Sequence, residues 1–144
     1  MTESENNPVR ATGGCLCGSV RYVVRGPLRD VWACHCPWCR RLHSHYAAYS
    51  ACETANLEII HRGPGKLRWY RSSPAVRHGF CSKCGTQIFW DGRGKNHMSI
   101  AASTINEPTG LRLTKHLCVQ LKGDYYEITD DVPQENSSPP DGGI

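Results

Sequence analysis

The stretch Cys81-Ser82-Lys83-Cys84-Gly85-Thr86-Gln87-Ile88 has a counterpart near the N-terminus, Cys15-Leu16-Cys17-Gly18-Ser19-Val20. Each is a cysteine pair, then glycine, then a hydroxyl residue, then the start of an alternating apolar run. Glycine after the second cysteine suits a knuckle, where the chain turns at positive φ and main-chain N–H groups point at the sulfurs. The repeat is too short for a solenoid; it predicts two equivalent turns that face one another. A structural zinc takes four ligands in a tetrahedron, commonly as two close pairs from distant segments. Cys15, Cys17, Cys81 and Cys84 are therefore read as one closed metal site. A pair of redox or buried thiols is the competing reading, but redox C-x-x-C motifs sit in a βαβ setting that this chain lacks.

Outward from the two knuckles, helical periodicity is scarce. Short runs rich in β-branched and aromatic residues recur between Gly, Pro, Asp and Asn. They predict strands at Ser19–Val24, Tyr46–Ser50, Leu57–His61, Lys66–Tyr70, Arg77–Phe80, Thr86–Trp90, Met98–Ala101, Leu117–Leu121 and Tyr125–Ile128. Lys122-Gly123-Asp124 reads as a hairpin turn between the last two. Pro37–Leu42 reads as a short helix, with proline at its first position. Met1–Ala11 is polar, and Val132–Ile144 is rich in Pro, Ser and Gly, so both are expected to be disordered tails around one mainly β domain, Thr12–Asp131.

A third cluster, Cys34-His35-Cys36-Pro37-Trp38-Cys39, offers three thiols and no neighbouring fourth cysteine. Three protein ligands plus an exchangeable position mark a catalytic zinc, whereas structural sites are closed. The alternative is a second structural site completed by His35, His43, His45 or a more distant histidine. Arg40 and Arg41 follow directly; guanidinium forks suit carboxylates, and a solvated basic turn is the plainer reading of the pair. Trp38 either walls the site or caps the core. Cys52 and Cys118 stand singly in apolar patterns and read as small buried hydrophobes. Trp32, Trp69, Trp90, Tyr125 and Tyr126 read as core packing, and His97 and His116 as structural.

The composition agrees with metal binding. Nine cysteines among 144 residues is an odd number, most of them clustered, with no export signal readable at the N-terminus. That pattern suits thiols in a reducing compartment better than a disulfide scaffold. No apolar run approaches the roughly 18 residues of a membrane span, so a cytoplasmic protein without membrane partners is expected. The formal charge of +4 counts every cysteine as neutral. Seven thiolates facing two divalent ions would lower it by three units, which removes any hint of nucleic-acid binding.

Taken in order, G-G-C-L-C-G-S-V-R-Y at Gly13–Tyr22, C-H-C-x-x-C-R-R at Cys34–Arg41, F-C-x-x-C-G-T at Phe80–Thr86 and K-H-L-C-V-Q-L-K-G-D-Y-Y-E-I at Lys115–Ile128 resemble the glutathione-dependent formaldehyde-activating enzyme family, the GFA or centromere-protein-V domain. The resemblance spans essentially the whole expected domain. It implies a zinc-clamped β-tent fold and two zincs per chain. Cys15, Cys17, Cys81 and Cys84 match the family's structural ligands, and Cys34, Cys36 and Cys39 match its catalytic ligands. It also implies a carbon–sulfur lyase whose named activity makes S-hydroxymethylglutathione from glutathione and formaldehyde. The partners expected are thus a small-molecule thiol and an aldehyde, with Arg40 and Arg41 as candidate substrate-binding residues. A non-catalytic zinc module that binds thiols or a protein partner is the second reading. After the third cluster family members commonly carry Gly-Ser, where this chain reads Leu42-His43-Ser44-His45-Tyr46.

Overall fold

The computed structural model describes residues 7–137 and 144; residues 1–6 and 138–143, within the two expected tails, lie outside the described residues. The chain is mainly β: ten strands, one short α-helix and three single-turn 3₁₀ helices among the described residues. A three-stranded antiparallel sheet has the order β1 (Ala11–Gly14), β2 (Val20–Val24), β5 (Leu57–His61). The larger sheet has seven strands. In spatial order they are β10 (Leu113–Leu117), β3 (Val31–Cys34), β4 (Ala47–Glu53), β9 (His97–Ala101), β8 (Gln87–Gly92), β7 (Val76–Cys81) and β6 (Leu67–Arg71). Among these seven strands the β10–β3 pair is parallel and the others are antiparallel.

Alternation decides which side chains meet, because successive residues of a strand point to opposite faces. Val20, Tyr22 and Val24 of β2 are fully or almost fully buried, and they pack in one core with Cys52, Ile88, Phe89, Met98 and Ile100 of the large sheet. A second core includes Cys34, Ala47, Tyr49, Trp90, Ala101, Leu117 and Ile144. Phe89 belongs to the first core and its neighbour Trp90 to the second, so β8 is covered on both sides; adjacent Ile88 and Phe89 share the first core because the register with β7 shifts at Ile88.

Each cysteine knuckle is the turn of a hairpin. The first joins β1 to β2, and the second joins β7 to β8. Gly18 and Gly85 both lie at positive φ, +85° and +82°, as the paired motifs predict. The Leu16 N–H donates to Thr86 Oγ1 at 3.1 Å, tying one turn directly to the other.

Several elements differ from the sequence reading. β1 and β3 are short, and small or Gly-rich runs such as Ala11-Thr12-Gly13-Gly14 carry no alternation signal; pairing with β2 and with β4 and β10 makes them strands. The last strand is Leu113–Leu117 rather than Leu117–Leu121. Cys118 adopts φ 55°, a left-handed conformation that ends the strand and starts a 3₁₀ turn over Val119–Leu121. No strand forms at Tyr125–Ile128, so Lys122–Asp124 is not a hairpin turn. Beyond Asp131, Gln134 bridges His116 in parallel, and the Glu135 N–H donates to the His116 carbonyl at 2.8 Å. The helix runs Pro37–His43, one residue past its expected end. Among the described residues no helix is long and apolar enough to cross a membrane.

Candidate metal centres

Cys15, Cys17, Cys81 and Cys84 bring four sulfurs within 4.8 Å of one another. The Cys17 sulfur is 3.7 Å from that of Cys15 and 3.7 Å from that of Cys81. A tetrahedron with zinc–sulfur arms of about 2.3 Å has edges of about 3.8 Å, so the donor set and its spacing fit zinc. Main-chain N–H groups of Val20 and Cys84 reach the sulfurs of Cys15 and Cys81 at 3.3 and 3.5 Å. The hydroxyl residues of the two motifs do parallel work: Ser19 Oγ lies 3.3 Å from the Cys17 sulfur, and Thr86 Oγ1 lies 3.2 Å from that of Cys84. Burial opposes ionisation of Cys84, but hydrogen bonds from Thr86 outweigh it and bring the thiol down to about 5. Hydrogen bonds from Ser19 lower Cys17 likewise. Burial pushes the Cys81 thiol up to about 11, so before a metal binds the thiolate character of this clamp between two hairpins lies on Cys17 and Cys84.

The second group is built at the end of β3. Cys34 closes the strand, His35 follows, and Cys36 is the N-cap of the helix α1 (Pro37–His43). The Cys36 sulfur accepts from the Cys39 N–H at 3.4 Å, so the helix start itself points a donor at a candidate ligand. Pro37 occupies the first turn, where its missing N–H costs nothing. The three sulfurs lie within 4.8 Å of one another, and no fourth ligand atom joins them among the described residues. Hydrogen bonds from Cys34 and Cys39 hold the Cys36 thiol down at about 2, while the same contacts push Cys39 up. The trio therefore behaves as one thiolate shared by two thiols, a soft three-donor set that fits zinc.

The histidines expected near this group are all engaged elsewhere. His35 is fully buried and lies in a chain of hydrogen bonds. Its Nδ1 meets Tyr126 Oη at 2.5 Å and its Nε2 meets His116 Nδ1 at 2.9 Å. His116 Nε2 in turn lies 3.1 Å from both carboxylate oxygens of Asp130. His116, which is 3% exposed, thus has a structural partner on each side. The His116 hydrogen bond lowers Asp130, so the carboxylate accepts from Nε2–H. In the form with one proton on His116, its Nδ1 accepts from His35 Nε2–H, and His35 Nδ1 accepts the Tyr126 hydroxyl proton. Burial, with His116, His45 and Lys122 adding to it, holds His35 neutral down to about 4. Nothing in the sequence places Asp130 or Tyr126 beside the CHC motif; this network comes from the fold. His43 Nε2 bonds Tyr49 Oη at 2.8 Å, and His45 Nδ1 bonds Tyr125 Oη at 2.8 Å.

The remaining candidates divide. Arg40 is half-buried and its Nε is sealed from solvent without an acceptor. Arg41 is exposed, as is Trp38, so Trp38 does not cap the core. Tyr125 is exposed as well, not core. Cys52 and Cys118 are buried, as read from the sequence. A cavity of about 310 Å³ lies between the end of α1 and the second knuckle, lined by Leu42, His43, Ser44, Tyr46, Thr86 and Gln87 among others. Gln87 Oε1 is buried without a partner. No lysine, arginine or carboxylate lines this cavity.

Residues 10–120 match the sequence profile of the glutathione-dependent formaldehyde-activating enzyme family. The chain belongs to that family. A solved structure of a Rhodobacter sphaeroides protein is similar to this member, with a TM-score of 0.58 and 22% identity over 85% of this chain and 98% of that one. At that identity the likeness speaks for the fold. The family membership and the two cysteine groups together support a domain of the formaldehyde-activating kind with two candidate metal centres.

Proposed function

We propose that this protein is a zinc-dependent carbon–sulfur lyase that joins a thiol to an aldehyde and cleaves the adduct in reverse. The family name points to glutathione and formaldehyde as the pair. The observation that carries the reading is the three-cysteine group, which has soft donors and no fourth ligand among the described residues. Zinc bound by Cys34, Cys36 and Cys39 would supply stabilisation of a substrate thiolate at neutral pH. The other metal, on Cys15, Cys17, Cys81 and Cys84, would be structural.

In the reaction one carbon–sulfur bond forms between the thiol sulfur and the carbonyl carbon, and the thiol proton ends on the carbonyl oxygen. The chain's part is to bind and orient the thiol. Arg40, half-buried on the helix that follows the trio, would offer the outer face of its guanidinium to a substrate carboxylate. Arg41, exposed on the same helix, would add charge at the rim. Nine free cysteines, seven of them in two candidate metal groups, accord with a reducing, cytoplasmic setting.

The test begins with zinc counted per purified chain. Cobalt is then substituted and glutathione titrated while the metal-centred absorption is followed. Adduct formation is measured against the uncatalysed background, since thiols add to formaldehyde unaided. Two metals per chain, one responding to thiol, and a rate above background support the lyase. One metal, or two that ignore every thiol tried, would leave a purely structural zinc module, the second reading.

A further inference from the structure

Ser99 is fully buried on β9, and its partners across the sheet are Ala51 on β4 and Trp90 on β8. A hydroxyl walled by such neighbours needs an acceptor, because an unpaired buried donor is costly. That acceptor is the main-chain oxygen of Ile144, 2.5 Å from Ser99 Oγ. Arg29 Nη1 donates to the same oxygen at 3.1 Å. The guanidinium is held by the Tyr49 carbonyl at 2.9 Å and the Asp30 carbonyl at 3.2 Å, and it stacks 3.7 Å above the Trp32 ring. Its main chain is pinned too, since the Arg29 N–H donates to Ala51 O and the Arg29 carbonyl accepts from Ser50 Oγ. A fixed cation and a buried hydroxyl thus converge on one oxygen. The Ile144 side chain, 4% exposed, fills the core that also contains Cys34, Tyr49 and Trp90, and Cys36 and Cys39 pack against that same core.

We infer that Arg29 and Ser99 form a carboxylate-binding site on the apolar wall of the three-cysteine group, and that Ile144 is its resident occupant, which a ligand carboxylate displaces. A guanidinium and a hydroxyl aimed at one oxygen favour a carboxylate over a neutral carbonyl, since the attraction of opposite charges adds to the hydrogen bonds. The depth at which the Ile144 side chain sits asks for an apolar group beside that carboxylate. In substrate terms the inference rests on the thiol reading above. It makes the substrate a thiol with a carboxylate for Arg29 and Ser99, in addition to the one assigned to Arg40. Its sulfur would reach the cysteine trio along a wall shared with residue 144. Ile144 then acts as a built-in competitor.

The experiment uses the zinc-loaded full chain labelled at isoleucine methyl groups, with 3-methylbutanoate as the probe. The Ile144 methyl signal should start displaced by the rings of Tyr49 and Trp90, and move to the position of a solvated isoleucine as the acid is added. Neutral 3-methylbutanamide should move it far less. Ser99→Ala should weaken the acid roughly five- to tenfold and Arg29→Gln at least tenfold, in line with losing one neutral and one charged hydrogen bond. Ser99→Ala removes only a hydroxyl, so it keeps the test valid if Arg29→Gln fails to fold. An Ile144 methyl already solvated in the free protein, one unmoved at saturating acid, or acid and amide acting alike overturns the inference. The cobalt titration with 3-mercaptopropionate separates the two readings. Displacement of Ile144 without a cobalt response leaves this site standing and removes the thiol reading, and a cobalt response without displacement does the reverse.

Discussion

The sulfur of Cys17, in the β1–β2 turn, lies 3.7 Å from that of Cys81, at the end of β7, although 64 residues separate them. This one contact joins the hairpin of the small sheet to a hairpin of the large one. Cys81 has no solvent exposure while Cys17 is exposed, so the contact ties a surface turn to the interior.

Removing metal from this clamp should therefore cost global stability. Seen as loop closure, the clamp removes about 3–4 kcal/mol of chain entropy, before any coordination energy is counted. A strong chelator, or Cys81→Ser, should lower the melting temperature by at least roughly 10 °C in a scanning calorimetry experiment. An unchanged melting curve in a chain proven free of metal would show that the hairpins hold without it.

The three-cysteine group should behave differently. Cys36→Ser is expected to lose one metal per chain while keeping the other, with most of the thermal stability retained, because this group lies within one short stretch and closes almost no loop. Metal analysis alongside calorimetry reads both quantities. Equal loss of both metals would mean that the two centres fold as one unit.

His43 gives a pH dependence whose sign can be worked out. Burial, with His78 adding a smaller effect, lowers it to about 4 from the usual 6.5. In the folded chain it stays neutral over a range in which the unfolded chain takes up a proton. Its contribution is full above about 6.5, declines as the pH falls from there toward 4, and changes no further below. His43→Gln, which keeps a group able to bond Tyr49, should flatten the urea-unfolding stability between pH 6.5 and 4 relative to wild type. An identical slope in the two proteins would assign the loss to other groups.

Tyr126→Phe removes the donor to His35 Nδ1 and leaves that buried nitrogen without a partner. A cost of about 1–3 kcal/mol is expected, visible as a lower urea midpoint at unchanged slope. Asp130→Ala should act in the same direction by releasing the His116 end of the chain, and Asp130→Asn less, since an amide oxygen still accepts from Nε2–H.

Gly13 on β1 tests close packing instead of charge. A Cβ there would collide with the Thr104 carbonyl and with the Tyr22 ring, whose hydroxyl bonds Thr104 Oγ1 at 2.8 Å. Gly13→Ala is expected to destabilise by roughly 2–4 kcal/mol, against a propensity change that alone would favour alanine. Equilibrium unfolding in urea measures it. A neutral effect would show that β1 can shift away from Thr104.

What the sequence makes legible follows from how local the signal is. Cysteine spacing is local, so both metal groups and their division into four and three could be read directly. The glycine after each pair is local too, and both adopt positive φ. Strands with clear alternation, such as Leu57–His61, are recognisable from their own residues. β1 is not, because the small residues Ala11-Thr12-Gly13-Gly14 become a strand only through their partner, and β3 is too short, at four residues, to show alternation. The segment after Leu117 misleads for a related reason: Val119 and Leu121 alternate with polar residues, yet Cys118 turns the chain out of the sheet. The partners of the site residues are the least legible. His35 can be picked out beside the cysteines, but its contacts with His116 and Tyr126 span 81 and 91 residues. Arg29 and Ser99, each unremarkable in its own stretch, meet only because β4 places Tyr49 and Ala51 beside both.

Zinc held by the cross-hairpin clamp would tie this protein's persistence to the supply of that metal. A ligand that binds only the folded chain adds stability in proportion to the logarithm of its free concentration, about 1.4 kcal/mol for each tenfold change per site above its dissociation constant. Few native proteins have more than 5–15 kcal/mol to lose. With zinc as the bound metal, starvation would thin the folded population through the pair of hairpins before any question of catalysis arose, and the amount of protein would itself report metal status.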